Sequence, residues 1–202
     1  MSYLVVDEFC PELDQVRFSA LAAGFDTWKP NKGEVGSSVY EGMGFWGDHA
    51  LMVRSLMRVV GGVVLPNTMY FRYTVPGMER AYIHSDRESG NHTCVVYLTD
   101  HDEEYGTAFY RHKHTGLIEM PSFQQMHDAG ILEELKADMV SRDPAKWVQT
   151  DFVRGQKNRA LIFNAPLFHS RLPVGGIGTD ATDARMVWVS HFNKLAPNGD
   201  FA

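Results

Sequence analysis

The stretch Thr68-Met69-Tyr70-Phe71-Arg72-Tyr73-Thr74-Val75 opens the part of the chain that decides the fold. It is rich in aromatic and β-branched residues, as strands are, and Pro76-Gly77 ends it with a turn signal. Similar stretches follow at residues 80–86, 93–98 and 107–112, divided by Gly90-Asn91 and Tyr105-Gly106. Short strands at this spacing predict an antiparallel sandwich or barrel.

Residues 117–149 interrupt this strand pattern. Leu132, Leu135 and Met139 recur at helical spacing, and charged residues lie between them. This pattern predicts a surface helix, and therefore a helical insertion around residues 121–149. Strands are predicted again at 151–154, 159–164, 167–172 and 185–192, with a Gly/Asp/Thr loop at 175–182.

The N-terminal third predicts a strand at residues 3–9, a helix from Pro11 to Gly24, and a second helix from Asp48 to about residue 60. Residues 28–47 are glycine-rich and are predicted to form a loop. We consider two roles for this loop: a mobile lid that carries Tyr40, Phe45 and Trp46 over a site, or a plain surface loop.

The loop ends in Gly42-Met43-Gly44-Phe45-Trp46-Gly47, which matches the G-x-G-x-x-G pattern of dinucleotide-binding proteins. That motif must follow a strand, open a helix and meet an acidic residue about 20 positions later. Here the preceding strand is weak, and no acidic residue lies between Asp48 and Glu79. The sequence therefore argues against dinucleotide binding.

Length and composition predict one domain over residues 1–202, with N-terminal helical support at 1–66 and a core at 67–194. The 19 Lys and Arg against 25 Asp and Glu give a net charge of −6, which makes nucleic acid an unlikely partner. Cys10 and Cys94 are too few for a disulfide framework. Neither a signal peptide nor a membrane span is evident, so we expect a soluble, cytoplasmic protein.

His84-Ser85-Asp86 places a histidine and an aspartate two positions apart on an extended run. Such residues point to the same face of a strand, although alone they more often form a surface hydrogen bond. A single histidine, His169, follows an apolar strand 169 − 84 = 85 residues later. Two histidines and one carboxylate form the facial triad that leaves coordination positions open on non-heme Fe(II).

Two further histidine-containing features allow more than one interpretation. Arg111-His112-Lys113-His114 offers a second His-x-His pair without a third ligand at readable spacing. It could line a substrate entrance and bind a carboxylate or phosphate, or it could be a solvated strand end. His191 follows Arg185 by six positions, hence on the same strand face, and could contact substrate or pack in the core.

Taken in order, these motifs resemble the Fe(II)/2-oxoglutarate-dependent dioxygenases, in particular their prolyl-4-hydroxylase-like branch. The resemblance covers about residues 68–192 without the insertion. It implies a mainly β fold with helices (α+β), a double-stranded β-helix of the jelly-roll or cupin-like type. The residues that carry it are Tyr73, His84-Ser85-Asp86, residues 93–98, 106–109 and 158–163, His169 with Leu172-Pro173-Val174, and Arg185.

The resemblance also implies roles for these residues. His84, Asp86 and His169 would bind iron, and Arg185 would pair with the distal carboxylate of 2-oxoglutarate. Tyr73 and Tyr97 would contact that co-substrate, and Thr93 would line its pocket. The gap of 185 − 169 = 16 residues is longer than the branch usually shows. Arg171, on the strand face of His169, therefore competes as the carboxylate partner or could contact substrate.

The implied activity is the hydroxylation of an unactivated aliphatic C–H bond with Fe(II), 2-oxoglutarate and O₂. The substrate would be an amino acid, a small metabolite or a peptidyl side chain. Related halogenases lack the carboxylate ligand, so Asp86 favours hydroxylation. Two alternatives stay open: a cupin-like metal enzyme that does not use 2-oxoglutarate, and a non-catalytic ligand-binding barrel.

Overall fold

The computed structural model of the chain describes residues 3–28, 40–78, 83–102, 104–141 and 143–195. It contains ten strands and four helices within these ranges. The strands are β1 (Tyr3–Val6), β2 (Asp26–Trp28), β3 (Tyr40–Gly44), β4 (Val64–Thr74), β5 (His92–Tyr97), β6 (Gly106–His112), β7 (Trp147–Arg154), β8 (Ala160–Asn164), β9 (His169–Leu172) and β10 (Arg185–Lys194). The helices are α1 (Leu13–Ala23), α2 (His49–Val60), α3 (Phe123–Asp128) and α4 (Leu132–Ser141).

The strands form two sheets that face each other. The larger sheet has the order β1-β8-β5-β10-β4-β3-β2, and the smaller has the order β7-β6-β9. Neighbouring strands in both sheets pair antiparallel. This architecture confirms the predicted jelly roll with supporting helices.

Strand β10 shows how the layers are held together. Val187 and Val189 point into the core between the two sheets, where they meet Phe109 of β6. Met186 and Trp188 point to the opposite face and pack under α1 and α2. The period-two alternation of a strand thus buries both faces of β10, which explains its nearly continuous apolar sequence.

The predicted helical insertion is present as α3 and α4. Ser122 begins α3 with a capping box, in which its hydroxyl accepts from the Gln125 backbone and the Gln125 side chain accepts from Ser122 N–H. Met126 and Leu135 then pack on Trp147 and Phe168. The insertion therefore has its own small core against the second sheet.

A buried ion network ties α4 to β6. His112 is fully buried, and its Nε2 lies 2.9 Å from Asp138 Oδ2 on α4. The Lys146 ammonium lies 3.3 Å from Asp138 Oδ1. At the exposed end, His114 Nδ1 lies 2.5 Å from Glu134 Oε1.

This network corrects both interpretations for His112, which is neither a solvated strand end nor an open ligand-binding group, because the insertion covers it. His114 is solvated, with its side chain 76% exposed. Atoms of His112, Glu134 and Asp138 also converge within 4.8 Å, as metal ligands could. However, Lys146 already compensates the Asp138 charge and His112 occupies the other carboxylate oxygen, so we interpret the group as structural.

Asp138→Asn is expected to lower the free energy of unfolding at neutral pH by about 1–3 kcal/mol. The His112 hydrogen bond, opposed by burial and helped by Lys146, lowers the pKa of the Asp138 carboxyl. A depressed folded-state pKa contributes stability above the unfolded pKa of about 4, and this contribution is lost as pH falls through the folded value. Urea unfolding at pH 7 and pH 3 should therefore show the gap between variant and wild type narrowing in acid.

The matched control is Glu133→Gln, because the Glu133 side chain is 88% exposed and lies 3.9 Å from the Lys136 ammonium. Such a surface pair is expected to change stability by less than about 1 kcal/mol. A gap for Asp138→Asn that stays constant from pH 7 to pH 3 would contradict the assignment.

The N-terminal segment contains the predicted strand and both predicted helices, and it adds two strands that were not predicted. β1 ends at Val6 and forms one edge of the large sheet, while β2 and β3 form the other edge. Part of the predicted 28–47 loop is thus β3, which pairs antiparallel with β4. The G-x-G-x-x-G match lies in this antiparallel edge and not in a βαβ unit, so it lacks the structural context of a dinucleotide-binding motif.

Two expectations lie partly outside the described residues. Of the predicted lid, residues 29–39 and the Tyr40 side chain fall there, and so do residues 79–82 of the predicted strand at 80–86.

Gly106→Ala is expected to destabilise the protein by about 3 kcal/mol, in the upper range for overpacking. A Cβ at this position would lie 2.1 Å from the backbone oxygen of Val153, which cannot move without breaking the β6–β7 pairing. Gly175→Ala is the control, because its Cβ would meet nothing within 4 Å. Thermal unfolding of both variants measures the difference, and equal stabilities would contradict this account.

Candidate metal centre

The backbone brings His84 next to His169 although 85 residues separate them. His84 N–H donates to His169 O at 3.0 Å, and His169 N–H donates to His84 O at 2.9 Å. Asp86 N–H donates to Ala165 O at 2.9 Å. This bond holds Asp86 against the segment between β8 and β9 that leads to His169. Long-range pairing at the start of β9 therefore builds the triad.

The three side chains converge as predicted. Asp86 Oδ2 lies 3.3 Å from His169 Nε2, and Asp86 Oδ1 lies 3.6 Å from His84 Nε2. One ligand atom from each residue lies within 4.8 Å of the other two. The His169 and Asp86 side chains are 8% and 12% exposed, whereas His84 is 37% exposed. The centre is thus buried on the Asp86 side and open on the His84 side.

The tautomer of His169 suits a metal ligand. Its Nδ1 lies 2.9 Å from the carbonyl oxygen of Leu167, which can only accept. Nδ1 must therefore carry a proton, and Nε2 is the nitrogen that faces Asp86 and His84. A backbone carbonyl in this position is the usual partner behind a metal-bound histidine.

The electrostatics of the centre keep Asp86 ionised. Burial alone would raise the pKa of its carboxyl, but His169, His191 and His84 outweigh burial and hold the pKa well below the ordinary range. A carboxylate that is stable as an anion in a buried place is suited to a cation.

Thr93 lies directly beside the triad. Its side chain is buried, and its hydroxyl donates to Asp86 Oδ2 at 2.9 Å. His191 Nδ1 lies 3.2 Å from the same hydroxyl. His191 is thus placed behind the triad, which the spacing from Arg185 alone did not reveal.

Arg185 points into the space between the sheets, six residues from His191 on the same face of β10. It is 4% exposed, and its Nε has no hydrogen-bond partner among the residues that the structure describes. Opposite it in the β4–β10 register lies Thr74, whose buried hydroxyl also lacks a partner there. Burial lowers the pKa of Arg185, which shows that its charge is poorly solvated.

Tyr97 is beside Arg185, as the motif order suggested. The guanidinium carbon lies 5.7 Å from the centre of the Tyr97 ring, and the Tyr97 hydroxyl lies 2.8 Å from Thr107 Oγ1. Arg171 is opposite Thr107 on β9 and shares the face of His169. Both candidate arginines therefore lie in the interior, and substitution of each one distinguishes which pairs with the carboxylate of the co-substrate.

The prediction that Tyr73 contacts the co-substrate is wrong, because its side chain lies on the other face of β4. Its ring packs edge-on against Phe25 at 5.0 Å, within the core under α1 and α2. Its neighbours Arg72 and Thr74 take the interior face instead, and the alternation of β4 could have revealed this. Sequence reasoning also missed Tyr70, whose pKa is raised by burial and by the Asp86 charge.

Two aromatic residues of the predicted lid are described. Phe45 is 41% exposed, and its ring lies 6.4 Å from that of Tyr70, at the wall of the interior. Trp46 is 74% exposed. Phe45 thus lies near the centre, while Trp46 faces solvent.

Comparison with sequence families gives one match. The model of a family of unknown function, DUF6445, matches residues 72–179, which include His84, Asp86 and His169. A search of curated proteins found no match.

Comparison with solved structures supports the fold. SnoK, a non-heme alpha ketoglutarate dependent carbocyclase from nogalamycin biosynthesis, aligns with a TM-score of 0.55 at 12% identity, over 99% of this chain and 88% of that chain. AviO1 from Streptomyces viridochromogenes Tue57 aligns at 0.54 and 12% identity, over 98% and 90%. HygX from Streptomyces hygroscopicus, with iron bound, aligns at 0.54 and 11% identity, over 94% and 81%. At these low identities, the TM-scores above 0.5 establish a shared fold and no more.

None of the helices in the described ranges is long and apolar enough to cross a bilayer.

Proposed function

Since the chain belongs to the DUF6445 family, a family of unknown function, we propose its activity from the site itself: a 2-oxoglutarate- and Fe(II)-dependent oxygenase. The observation that carries the proposal is the convergence of His84, Asp86 and His169 within 4.8 Å in a jelly-roll interior. Two histidines and one carboxylate are the ligand set of non-heme Fe(II) oxygenases.

The donor set fits the metal. His169 presents Nε2 because Leu167 O engages its Nδ1, and Asp86 is ionised in a buried place. His84, Asp86 and His169 would hold the metal and would leave coordination positions for other ligands. The more exposed His84 lies on the side from which these would enter.

The interior also fits a dicarboxylate co-substrate. Arg185 and Thr74 offer a buried guanidinium Nε and a buried hydroxyl without partners in the described structure. A guanidinium takes a carboxylate bidentately and keeps its charge at any working pH. We therefore assign the distal carboxylate of 2-oxoglutarate to Arg185, with Thr74 as a second contact and Tyr97 beneath the guanidinium.

Iron loaded with 2-oxoglutarate supplies O₂ activation, with conversion of the co-substrate to succinate and CO₂ and oxidation of an aliphatic C–H bond. The chain's own residues do the rest. His84, Asp86 and His169 hold the metal, Arg185 orients the co-substrate, and the apolar core between the sheets excludes water. We propose that the reaction is a hydroxylation and that the chain is related to the prolyl-4-hydroxylase-like branch. Both proposals rest on the order of the motifs along the chain.

We propose a small-molecule or peptidyl substrate. The net charge of −6 disfavours nucleic acid, and Phe45 and Tyr70 offer an aromatic wall beside the centre. We also propose a reducing, cytoplasmic environment, because both cysteines are free and buried.

The test is anaerobic. Fe(II) and then 2-oxoglutarate are added to the protein, and the visible charge-transfer band of the chelate is recorded. The band is expected in the wild type and lost in His169→Ala. Iron binding without the band would favour the cupin-like enzyme that does not use 2-oxoglutarate. Absence of metal binding would favour the ligand-binding barrel.

A further inference from the structure

The Asp86 carboxylate is held by a side chain that is not a candidate ligand. The Thr93 hydroxyl donates to Asp86 Oδ2 at 2.9 Å. His191 lies directly opposite Thr93 in the β5–β10 register, and its Nδ1 is 3.2 Å from the hydroxyl. Thr93 and His191 are 1% and 6% exposed, so bulk water does not compete for these contacts.

The chemistry of the three groups fixes the direction of both hydrogen bonds. An ionised carboxylate can only accept, and a threonine hydroxyl has one hydrogen to donate. Because Thr93 donates that hydrogen to Asp86, its oxygen is left as an acceptor. Nδ1 of His191 must then be the protonated nitrogen that donates to Thr93.

We propose that His191 and Thr93 are positioning residues that act in series on the metal centre. His191 Nδ1–H holds the Thr93 hydroxyl, and Thr93 holds the Asp86 carboxylate in the orientation that binds the metal. The inference rests on the proposed function, because it takes Asp86 as a ligand. Its physical basis is preorganisation, since a carboxylate fixed before binding loses less rotational freedom when the metal arrives.

A parallel arrangement is the competing account. His191 Nδ1 also lies 3.7 Å from Asp86 Oδ2, so it could act on the carboxylate through space and independently of Thr93. Series and parallel action differ in a double-mutant cycle. In series, removing His191 has no further effect once the Thr93 hydroxyl is gone, whereas independent contributions add.

The experiment titrates Mn(II), as an oxygen-stable probe, into the full chain and records the dissociation constant. Thr93→Val, which keeps the shape and removes the donor, is expected to weaken binding about 10–100-fold. Thr93→Ser keeps the hydroxyl and is expected to restore wild-type affinity. A purely packing role for Thr93 would give the opposite order, because valine fills the site and serine does not.

The second part of the experiment tests whether His191 acts on Asp86 through Thr93. His191→Leu removes the donor and is expected to weaken Mn(II) binding, while His191→Asn offers an amide N–H in its place and is expected to retain more affinity. The double variant Thr93→Val with His191→Leu is expected to bind like Thr93→Val alone. Additive losses would overturn series action.

Thermal unfolding of each metal-free variant verifies that the variant is folded. Thr93→Ala replaces Thr93→Val if the latter does not fold. Unchanged affinity in the variants that lack the hydroxyl, with tight wild-type binding, would overturn the positioning role alone. Failure of the wild type to bind Mn(II) and Fe(II) would overturn the proposed function and this inference together. The two failures are therefore distinguishable.

Discussion

Asp86→Ala is expected to abolish metal-dependent turnover of 2-oxoglutarate. Asp86 is the only carboxylate in its convergent group, and it carries the negative charge that offsets a divalent cation. The loss in metal affinity should exceed the roughly 100-fold that removal of a group behind a ligand can cost. Succinate release in the presence of Fe(II) and O₂, together with Mn(II) titration, measures both effects.

Asp138→Ala is the matched control for this variant. Asp138 is also a buried aspartate that pairs with a histidine, but it lies in the insertion network away from the triad. We expect Asp138→Ala to lose stability while keeping its metal affinity at a temperature where it is folded. Substantial turnover in Asp86→Ala would remove Asp86 from the metal shell, and loss of metal binding in Asp138→Ala would show that the second group binds metal.

Arg185→Ala is expected to weaken 2-oxoglutarate binding by about 30-fold or more, because truncating one partner of a buried charge pair costs at least about 2 kcal/mol. The metal affinity should stay unchanged, since Arg185 lies six residues along β10 from His191 and outside the triad. Titration of 2-oxoglutarate into the metal-loaded protein, followed by the charge-transfer band, measures the change. Arg185→Lys should recover part of the affinity, because it keeps the charge and loses the bidentate geometry.

Arg171→Ala decides between the two arginines. It removes the same kind of side chain from the opposite sheet, on the face of His169. We expect 2-oxoglutarate affinity close to that of the wild type. A loss in Arg171→Ala with none in Arg185→Ala would move the carboxylate partner to β9, and no loss in either variant would rule out both arginines as that partner.

Local pattern predicted the strands and most of the triad. Residues 94–98 and 186–189 are apolar on both strand faces, which is the pattern of strands buried between layers, and the structure places their strands in the middle of the large sheet. The spacing of His84 and Asp86 predicted that they lie together, although Asp86 is at the start of a short turn and not on a strand. These features depend on neighbours in sequence, and the sequence shows them directly.

The register between strands and the contact partners of polar side chains were determined only by the tertiary structure. Tyr73 and Thr74 are neighbours that point to opposite faces of β4, and the β4–β10 register places Thr74 directly opposite Arg185. His112 has a motif of its own, but its partner Asp138 comes from an insertion 26 residues later.

The roles of Thr93 and His191 illustrate the same division. Each sits on a predicted strand, and the alternation of each strand sets which face the side chain takes. Their contact with Asp86 depends on two different strand pairings that join residues far apart in the chain. The sequence by itself determined which residue types are available on which elements. Only the long-range pairing of those elements decided which polar groups meet, because hydrogen bonds depend on distances that local periodicity does not set.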